Sequence, residues 1–472
     1  MTPRARDLAP ALGLAAFVQL VCARALGGRL HPDETHQYLE VAHRLVWGYG
    51  TTPHEWRSGM RNLALPGLLT GLLRVARALG LDDPRGYIGL VHVLVGALSL
   101  TVVTAAYDLT LARTDDRPRA RLAALVLALW TPWQNLAFRT LGETFSTIAL
   151  CLALALHARS PRRDVLVGVV VALAFVARYP AGLYLIPFAF AYAHARDLRG
   201  LARWSLGVAL VLLGLGALDA LTWGRPWHSV LAYADYNLLR DRARIDYGAR
   251  PVWFYLLCLP GLAPVVYLAA SVRGAQWRRG ALPLGVAVTY LAAMSALAHK
   301  EPRFFLPVIP LLVIAAACVA PAWSSLRRGV VLALCVAHSL IALAVYERSG
   351  VCEGDAVRAA EWVGRQRHVS AVLLLGVSHP GYAHLHRDVP VLGDARNDAR
   401  RALATFEARQ VHGATWAICL RRTGACEGLV TRGWGRVKDF GGVVVLVRRG
   451  AAVAHGDRTP RAVAAARGTL AG

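Results

Sequence analysis

Residues 86–111, GYIGLVHVLVGALSLTVVTAAYDLTL, closed at residues 112–121 by ARTDDRPRAR, decide the fold class. The apolar block is long enough to cross the roughly 30 Å hydrocarbon core of a bilayer, and it stops at an arginine-rich joint. Working outward, further blocks of this kind fall near residues 8–30, 122–138, 142–158, 165–177, 180–195, 204–223, 252–271, 281–298, 303–320 and 329–347. The pattern predicts about eleven transmembrane helices. Composition agrees: 56% of the 472 residues are hydrophobic and 17% charged, against about 25% charged in soluble domains. Mean hydropathy is +0.41. No single soluble core hides that much apolar surface, which excludes a soluble enzyme, a disordered chain and a secreted disulfide scaffold. The sequence reads as an all-α polytopic membrane protein.

Lys and Arg total 53 against 29 Asp and Glu, a formal net charge of +24. Such a balance suits nucleic-acid backbones. Yet only two residues are lysine, Lys300 and Lys438, and no helix-turn-helix, zinc-finger or RNP pattern is present. No nucleic-acid partner is expected, and the Arg-for-Lys bias points instead to a GC-rich bacterial genome. Eight cysteines, at 22, 151, 258, 318, 335, 352, 419 and 426, form no CxxC pair. The first five sit in apolar blocks as small hydrophobes. A Cys419–Cys426 bridge is open to the chain if that side is oxidising. The spacing offers no metal site, and no cofactor is expected.

Basic joints stay cytoplasmic and so orient the spans. With Arg4 and Arg6 inside, the returning joints carry Arg113/Arg117/Arg119/Arg121, Arg159/Arg162/Arg163, Arg196/Arg199/Arg203, Arg273/Arg278/Arg279 and Arg327/Arg328. The opposite joints at 139–141, 178–179 and 299–302 are nearly bare of unpaired charge. The N-terminal block resembles a signal peptide but lacks an A-x-A site before His31, so an uncleaved first helix is expected. An odd span count places segments 31–85 and 224–251, and everything from 348 onward, on the non-cytoplasmic side. Residues 1–347 are then the membrane domain, with an interfacial helix near 63–79 whose Arg74 and Arg77 snorkel. β-type runs at 371–376, 414–420 and 442–447, with a helical pattern at 355–367, predict a small α/β outer domain over 348–449. Residues 450–472 are aperiodic and read as a disordered tail. No internal repeat of the secondary-transporter kind is present.

Three polar stretches interrupt this frame at the outer ends of spans. His31-Pro32-Asp33-Glu34-Thr35-His36-Gln37 sets two adjacent carboxylates at the mouth of a membrane helix, where charge is expensive and therefore a functional candidate. One of them suits a general base toward a sugar hydroxyl. A helix start, with Asp33 capping and Glu34 facing the dipole, reads the same residues equally well. A His31/Asp33/His36 metal site fits no familiar ligand spacing. His299-Lys300-Glu301-Pro302-Arg303-Phe304 brings Lys and Arg together where topology disfavours basic residues. That suits a lipid-linked phosphate better than interfacial anchoring. The third stretch, residues 219–226 with Tyr236-Asn237 and Tyr247-Gly248, offers aromatic faces and amides to a sugar, although Trp and Tyr belong to any interfacial belt. Arg139, Glu143 and Arg178 lie at outer helix ends, where an Arg reaches a lipid phosphate or snorkels.

Together these stretches resemble the glycosyltransferase family 22 mannosyltransferases, which add mannose to lipid-linked oligosaccharides and to the glycosylphosphatidylinositol anchor. HPDETHQYLEVAHRLVWGYG with HEWRSGMRNLALPGLL is similar to their first outer loop. HKEPRFFLPVIPLL resembles their HKE-x-RF motif closely, and RTLGET resembles an RTLSNS-type motif with departures at Gly142 and Glu143. DALTWGRPWHSVLAYADYNLL…DYGARPVWFYL matches the order of a D-x-x-x-[YW]G…N…YG…P-x-x-[WF]Y segment, and SHPGYAHLHRDVPVL is similar to a stretch of the anchor branch without its neighbouring cysteines. The resemblance runs in order from about residue 31 to 392.

The resemblance implies a GT-C fold with a large first outer loop and a polyprenyl-phosphate sugar as donor. It makes Asp33 the base toward the acceptor hydroxyl, with Glu34 positioning it or sharing that role. Configuration inverts through an oxocarbenium-like state. Lys300 and Arg303 would neutralise the leaving phosphate, oriented by His299 and Glu301. Asn237, Tyr247 and Trp253 would line the donor cleft, and His31, Gln37, Arg139 and Arg178 the donor or acceptor cleft. The family is generally metal-independent. The expected reaction moves a sugar, mannose first, to a hydroxyl of a glycan or glycolipid on the non-cytoplasmic face. The Arg bias and the absence of a C-terminal ER-retention signal point to a bacterial inner membrane. A transporter or lipid flippase using Asp33, Glu34 and Lys300 as an ion relay is the rival, and it predicts charges deep in spans and paired broken helices. A scaffold that has lost catalysis fits poorly with HPDE and HKE kept together.

Overall fold

Each apolar block carries helix in a computed structural model, which describes residues 2–159, 163–272, 277–349, 353–393, 398–408, 415–421 and 424–448. The tail expected over 450–472 lies outside the described residues. Five helices are long and apolar enough to cross a membrane: Pro3–Ala25, Pro84–Thr114, Leu198–Trp223, Pro302–Val319 and Ser325–Arg348. Two bent pairs raise that to seven: Thr131–Ala137 with Gly142–Ala158, at 104°, and Phe254–Leu262 with Val265–Ser271, at 99°. By length and composition alone the described residues thus hold five to seven such spans, and the other apolar blocks carry shorter or bent helices. Trp130, in extended conformation, breaks the block at 122–138, Pro264 breaks the one at 252–271, and Asp164–Ala177 is apolar but only 14 residues long.

The chain divides into two units. The first comprises Met1–Leu26, Glu55–Leu65 and Val91–Ser349. Its helices start and stop where the sequence punctuates them. Asp116 caps Arg117–Leu129 by accepting the Arg119 N–H at 3.0 Å, and Asp197 caps Leu198–Trp223 through the Gly200 N–H at 2.8 Å. Gly224, at φ +75°, closes the second of these. Two glycines bring Asp164–Ala177 and Leu198–Trp223 backbone to backbone. A Cβ on Gly168 would lie 2.1 Å from the Trp204 carbonyl oxygen, and one on Gly207 the same distance from that of Val165. Part of the basic joint after Pro84–Thr114 is neutralised inside the protein, since Arg117 pairs with the buried Asp7 at 2.7 Å.

The second unit comprises Gly27–His54, Pro66–Leu90 and Gly350–Gly472. It holds the helix Glu40–Trp47 and most of Ala64–Ala78, which falls on the predicted interfacial helix. It also holds a five-stranded mixed sheet: β1 (Ala371–Leu375), β2 (Val391–Leu392), β3 (Thr415–Leu420), β4 (Gly435–Asp439) and β5 (Val443–Arg448), in the order β2-β1-β3-β5-β4. β1 runs parallel to β2 and β3, while β5 is antiparallel to β3 and β4. Alternation sends Val372, Leu374, Ile418 and Val445 to one buried face with Trp362 of the helix Gly354–Gly364. Leu373, Ala417 and Leu446 go to the other face with Phe406 and Trp434. Cys419 and Cys426 are joined by a disulfide beside that second face.

Candidate active site

In the second unit the helix start at Asp33 does not form as a side-chain cap. Asp33 has helical backbone angles and makes no capping bond, and Glu34–Leu39 winds as a π-helical turn before Glu40–Trp47. Such single turns are frequent at functional sites because they rotate side chains out of α-helical register. The two carboxylates are held differently. Glu34 is 2% exposed, and its Oε1 accepts the backbone N–H of Leu30 and, at 3.2 Å, that of His31. Asp33 keeps 21% of its side chain exposed, with Gln37 Nε2 donating to Oδ2 and His31 Nδ1 3.4 Å from Oδ1. One carboxylate is locked to the chain; the other is presented.

The same unit braces this turn from behind. Arg29 Nε meets Glu353 Oε2 at 2.6 Å, and the Ser378 hydroxyl bonds the same carboxylate at 2.7 Å. His36 Nε2 lies 3.0 Å from the carbonyl of His379. Glu40, fully buried, accepts the Thr51 N–H at 2.8 Å on one oxygen and the Ala383 N–H at 3.1 Å on the other. Burial pushes its carboxyl up. Gly381, at φ +85°, has no room for a side chain, since a Cβ would lie 2.4 Å from Thr35. His43 Nε2 sits 3.1 Å from His386 Nδ1, and its ring stacks on Trp47. Burial drives His36 down to about 4, and His43 and His379 to about 3, so all three are neutral at pH 7. Glu40, His43, His379 and His386 lie within the motifs quoted above, where no role was assigned to them. A carboxylate and an imidazole inside the apolar LEVAH run, and the HxH of AHLH, were the available signals.

In the first unit the HKE-x-RF stretch gathers charges that answer one another. Glu301 Oε2 accepts Arg303 Nε at 2.6 Å, and His299 Nε2 lies 2.9 Å from Glu301 Oε1. Tyr247 places its ring 5.3 Å from that of His299. Behind them, Glu143 Oε1 stands 2.9 Å from Arg178 Nη1 and 3.5 Å from Arg303 Nη1, so one oxygen bridges two guanidinium groups. Both cations also lie over the Phe304 ring, at 4.6 and 5.1 Å. The Glu143 departure in RTLGET thus supplies a buried counter-charge. Lys300 is 4% exposed and donates to the carbonyls of Arg250, at 3.0 Å, and Leu297, which straps two loops together; burial lowers its ammonium pKa.

Other expected site residues are spread more widely. Arg139 is fully buried at the 104° bend and donates to Asn135 O at 2.8 Å, Asn135 Oδ1 at 2.9 Å and Leu26 O at 3.0 Å. Asn237 donates to the Tyr233 carbonyl at 2.9 Å, and Trp253 is 52% exposed. Asp219 accepts the Ser229 N–H at 2.9 Å in a chain that runs on through Tyr179 to Asn62, which makes it an organiser of its loop. Among the described residues no group of His, Cys, Asp or Glu could hold a metal ion.

A helical membrane protein with these two motif clusters has the architecture of a GT-C glycosyltransferase. The crystal structure of ArnT from Cupriavidus metallidurans bound to undecaprenyl phosphate superposes with a TM-score of 0.61 at 15% identity, covering 94% of this chain and 98% of that one. Residues 13–356 match the model of the Alg9-like mannosyltransferase family, and the chain belongs to that family. GPI mannosyltransferase 3 of Yarrowia lipolytica is 29% identical over 76% of this chain and 72% of its own length. GPI alpha-1,2-mannosyltransferase 3 of Bos taurus is 25% identical over 76% and 69%. The chain is a multi-pass membrane glycosyltransferase.

Proposed function

We propose that this glycosyltransferase moves mannose, with inversion, from a polyprenyl-phosphate donor to a hydroxyl of a glycan or glycolipid on the non-cytoplasmic face of a bacterial inner membrane. The observation that carries the reading is the division of labour at HPDE, where Glu34 is tied to two backbone N–H groups and Asp33 is left presented. Asp33 takes the proton of the acceptor hydroxyl as its oxygen attacks the anomeric carbon, and Glu34 fixes the turn that aims it. The bond from that carbon to the phosphate oxygen breaks through an oxocarbenium-like state. The departing phosphate gains charge, which Arg303 and Arg178 offset, with Lys300 adding its own. His299 and Glu301 orient Arg303; Tyr247, Trp253 and Asn237 serve the sugar from the first unit; and His31 and Gln37 flank Asp33 in the second.

The donor class draws support from the undecaprenyl phosphate named in the ArnT structure, and the α-1,2 linkage in the relatives' names suggests the same linkage here. The disulfide in the C-terminal sheet fits an oxidising side for residues 348–449, which we assign as an outer α/β domain beside a catalytic membrane domain of residues 1–347. Membership of a mannosyltransferase family does not favour the transporter reading. The test is transfer from polyprenyl-phosphate mannose labelled in the sugar, with purified protein in nanodiscs and a mixed lipid extract as acceptor pool. Labelled product that vanishes with Asp33→Asn supports the proposal. Product only from another polyprenyl-phosphate sugar changes the donor, and product that persists in Asp33→Asn removes the base.

A further inference from the structure

Glu143 stands in the cationic cluster of the first unit, where the reaction proposed above gives it no step. Its side chain is 1% exposed, and one of its oxygens lies 2.9 Å from Arg178 Nη1 and 3.5 Å from Arg303 Nη1. It belongs to the first turn of the helix Gly142–Arg159, where the helix dipole suits a negative charge. Arg178 and Arg303 are thus matched by two carboxylates, Glu143 and Glu301, the second 2.6 Å from Arg303 Nε. Their settings differ. Glu301 keeps 22% of its side chain exposed, where solvent and salt screen it, whereas the buried Glu143 acts on both cations with little screening.

A phosphate cradle that serves a polyprenyl-phosphate donor meets two ligands of different charge. The donor is a phosphodiester with one negative charge. The polyprenyl phosphate left after transfer is a monoester carrying about −1.5 to −2 near neutral pH. Guanidinium groups without counter-charge hold the monoester more tightly than the diester, and turnover then waits on product release. A fixed negative charge beside those cations repels both ligands, and repels the monoester more, in proportion to its charge. Glu143 occupies the place such a charge needs, since it is shared by both arginines and is itself shielded from any ligand.

We propose that Glu143, acting through Arg178 and Arg303, loosens the hold of the cluster on the departing polyprenyl phosphate and so sets product release. The inference rests on the phosphate role proposed above for those arginines. The test measures binding of undecaprenyl phosphate and of undecaprenyl-phosphate mannose, without acceptor, to the purified full chain in neutral detergent, from the ligand dependence of its Tm. Glu143→Gln keeps the volume and removes the charge. It is expected to tighten undecaprenyl phosphate about tenfold or more and the donor about three- to fivefold. In turnover, kcat and KM fall together and undecaprenyl phosphate becomes a stronger inhibitor. Glu143→Asp keeps the charge, and the ratio of the two affinities stays within about twofold of wild type. A purely structural role would weaken both ligands or neither and would leave that ratio alone. If Glu143→Gln is too unstable to isolate by itself, undecaprenyl phosphate added during purification should restore its Tm, because the phosphate supplies the missing negative charge. Affinities in Glu143→Gln that are unchanged or weaker, or a Tm that undecaprenyl phosphate fails to restore, overturn the inference and leave the transferase reading standing. A wild-type chain that binds neither ligand removes the phosphate cradle itself, so the two failures are told apart.

Discussion

Around His31–Gln37 the carboxylates meet backbone N–H groups, a side-chain amide and an imidazole, whereas around Arg303 the carboxylates meet guanidinium groups. The first arrangement suits the base role proposed for Asp33. The second pairs positive charge within a nearly neutral cluster, which suits the phosphate role proposed for it. The proposed base and the proposed phosphate cradle have opposite requirements, and the two clusters differ accordingly in the partners given to the same residue type. Glu34 and Glu143 are both buried carboxylates, but one tightens a backbone turn and the other balances two arginines.

The contrast breaks first at Asp33. Asp33→Asn keeps the side-chain volume and the Gln37 contact, so the protein should fold while turnover falls about 10²- to 10⁴-fold, read as initial rates with labelled donor. If Glu34→Gln alone causes that loss, the two roles exchange. At the cationic cluster, Arg178→Leu removes the shorter ion pair of the buried Glu143 and leaves the longer Arg303 contact. It should cost about 3 kcal/mol of stability in a denaturation series, and a Glu143→Leu partner change should recover part of that. If Arg178→Leu is neutral, Glu143 is not a counter-charge.

Acid provides the third test. His36, His43 and His379 have pKa values lowered by burial in the folded protein, to about 4, 3 and 3. The unfolded chain therefore binds protons first. Stability is complete above about pH 6.5 and falls as pH drops toward those values, by up to about 2 kcal/mol for each histidine between pH 6.5 and 5. A Tm that is flat from pH 7.5 to 5 would show that these rings are solvated. The smallest effect is expected from Gln37→Leu, which removes one hydrogen bond to Asp33 and should lower kcat about tenfold or less, with a shift in the acidic limb of the kcat profile.

Membrane class, a helix near residues 63–79 and three of the five strands were legible because each rests on local periodicity. Ala371–Leu375, Thr415–Leu420 and Val443–Arg448 are apolar runs that alternate between two buried faces. Gly435–Asp439 escaped because it is an exposed edge strand rich in charge, and Val391–Leu392 because two residues carry no period. Span boundaries were blurred where Trp130 and Pro264 turn the backbone inside apolar sequence. The HPDE and HKE motifs were visible as charge out of place, but their separate roles were not. Whether Asp33 or Glu34 is presented depends on where the backbone N–H groups of Leu30 and His31 point, and whether Lys300 faces a phosphate or the Arg250 carbonyl depends on a loop fifty residues away.

Arg139 also bears on how the protein is made. A guanidinium entering the bilayer on its own helix is opposed by about 2.5–3.5 kcal/mol. Here its hydrogens go to Asn135, on the same hairpin, and to Leu26, at the end of the first helix. The first helix leaves the ribosome before the hairpin does, so its terminal carbonyl is already at hand when Arg139 arrives. The order of synthesis then supplies the acceptor that makes insertion of the hairpin affordable, and a variant with the first helix deleted should leave Arg139 stalled at the translocon.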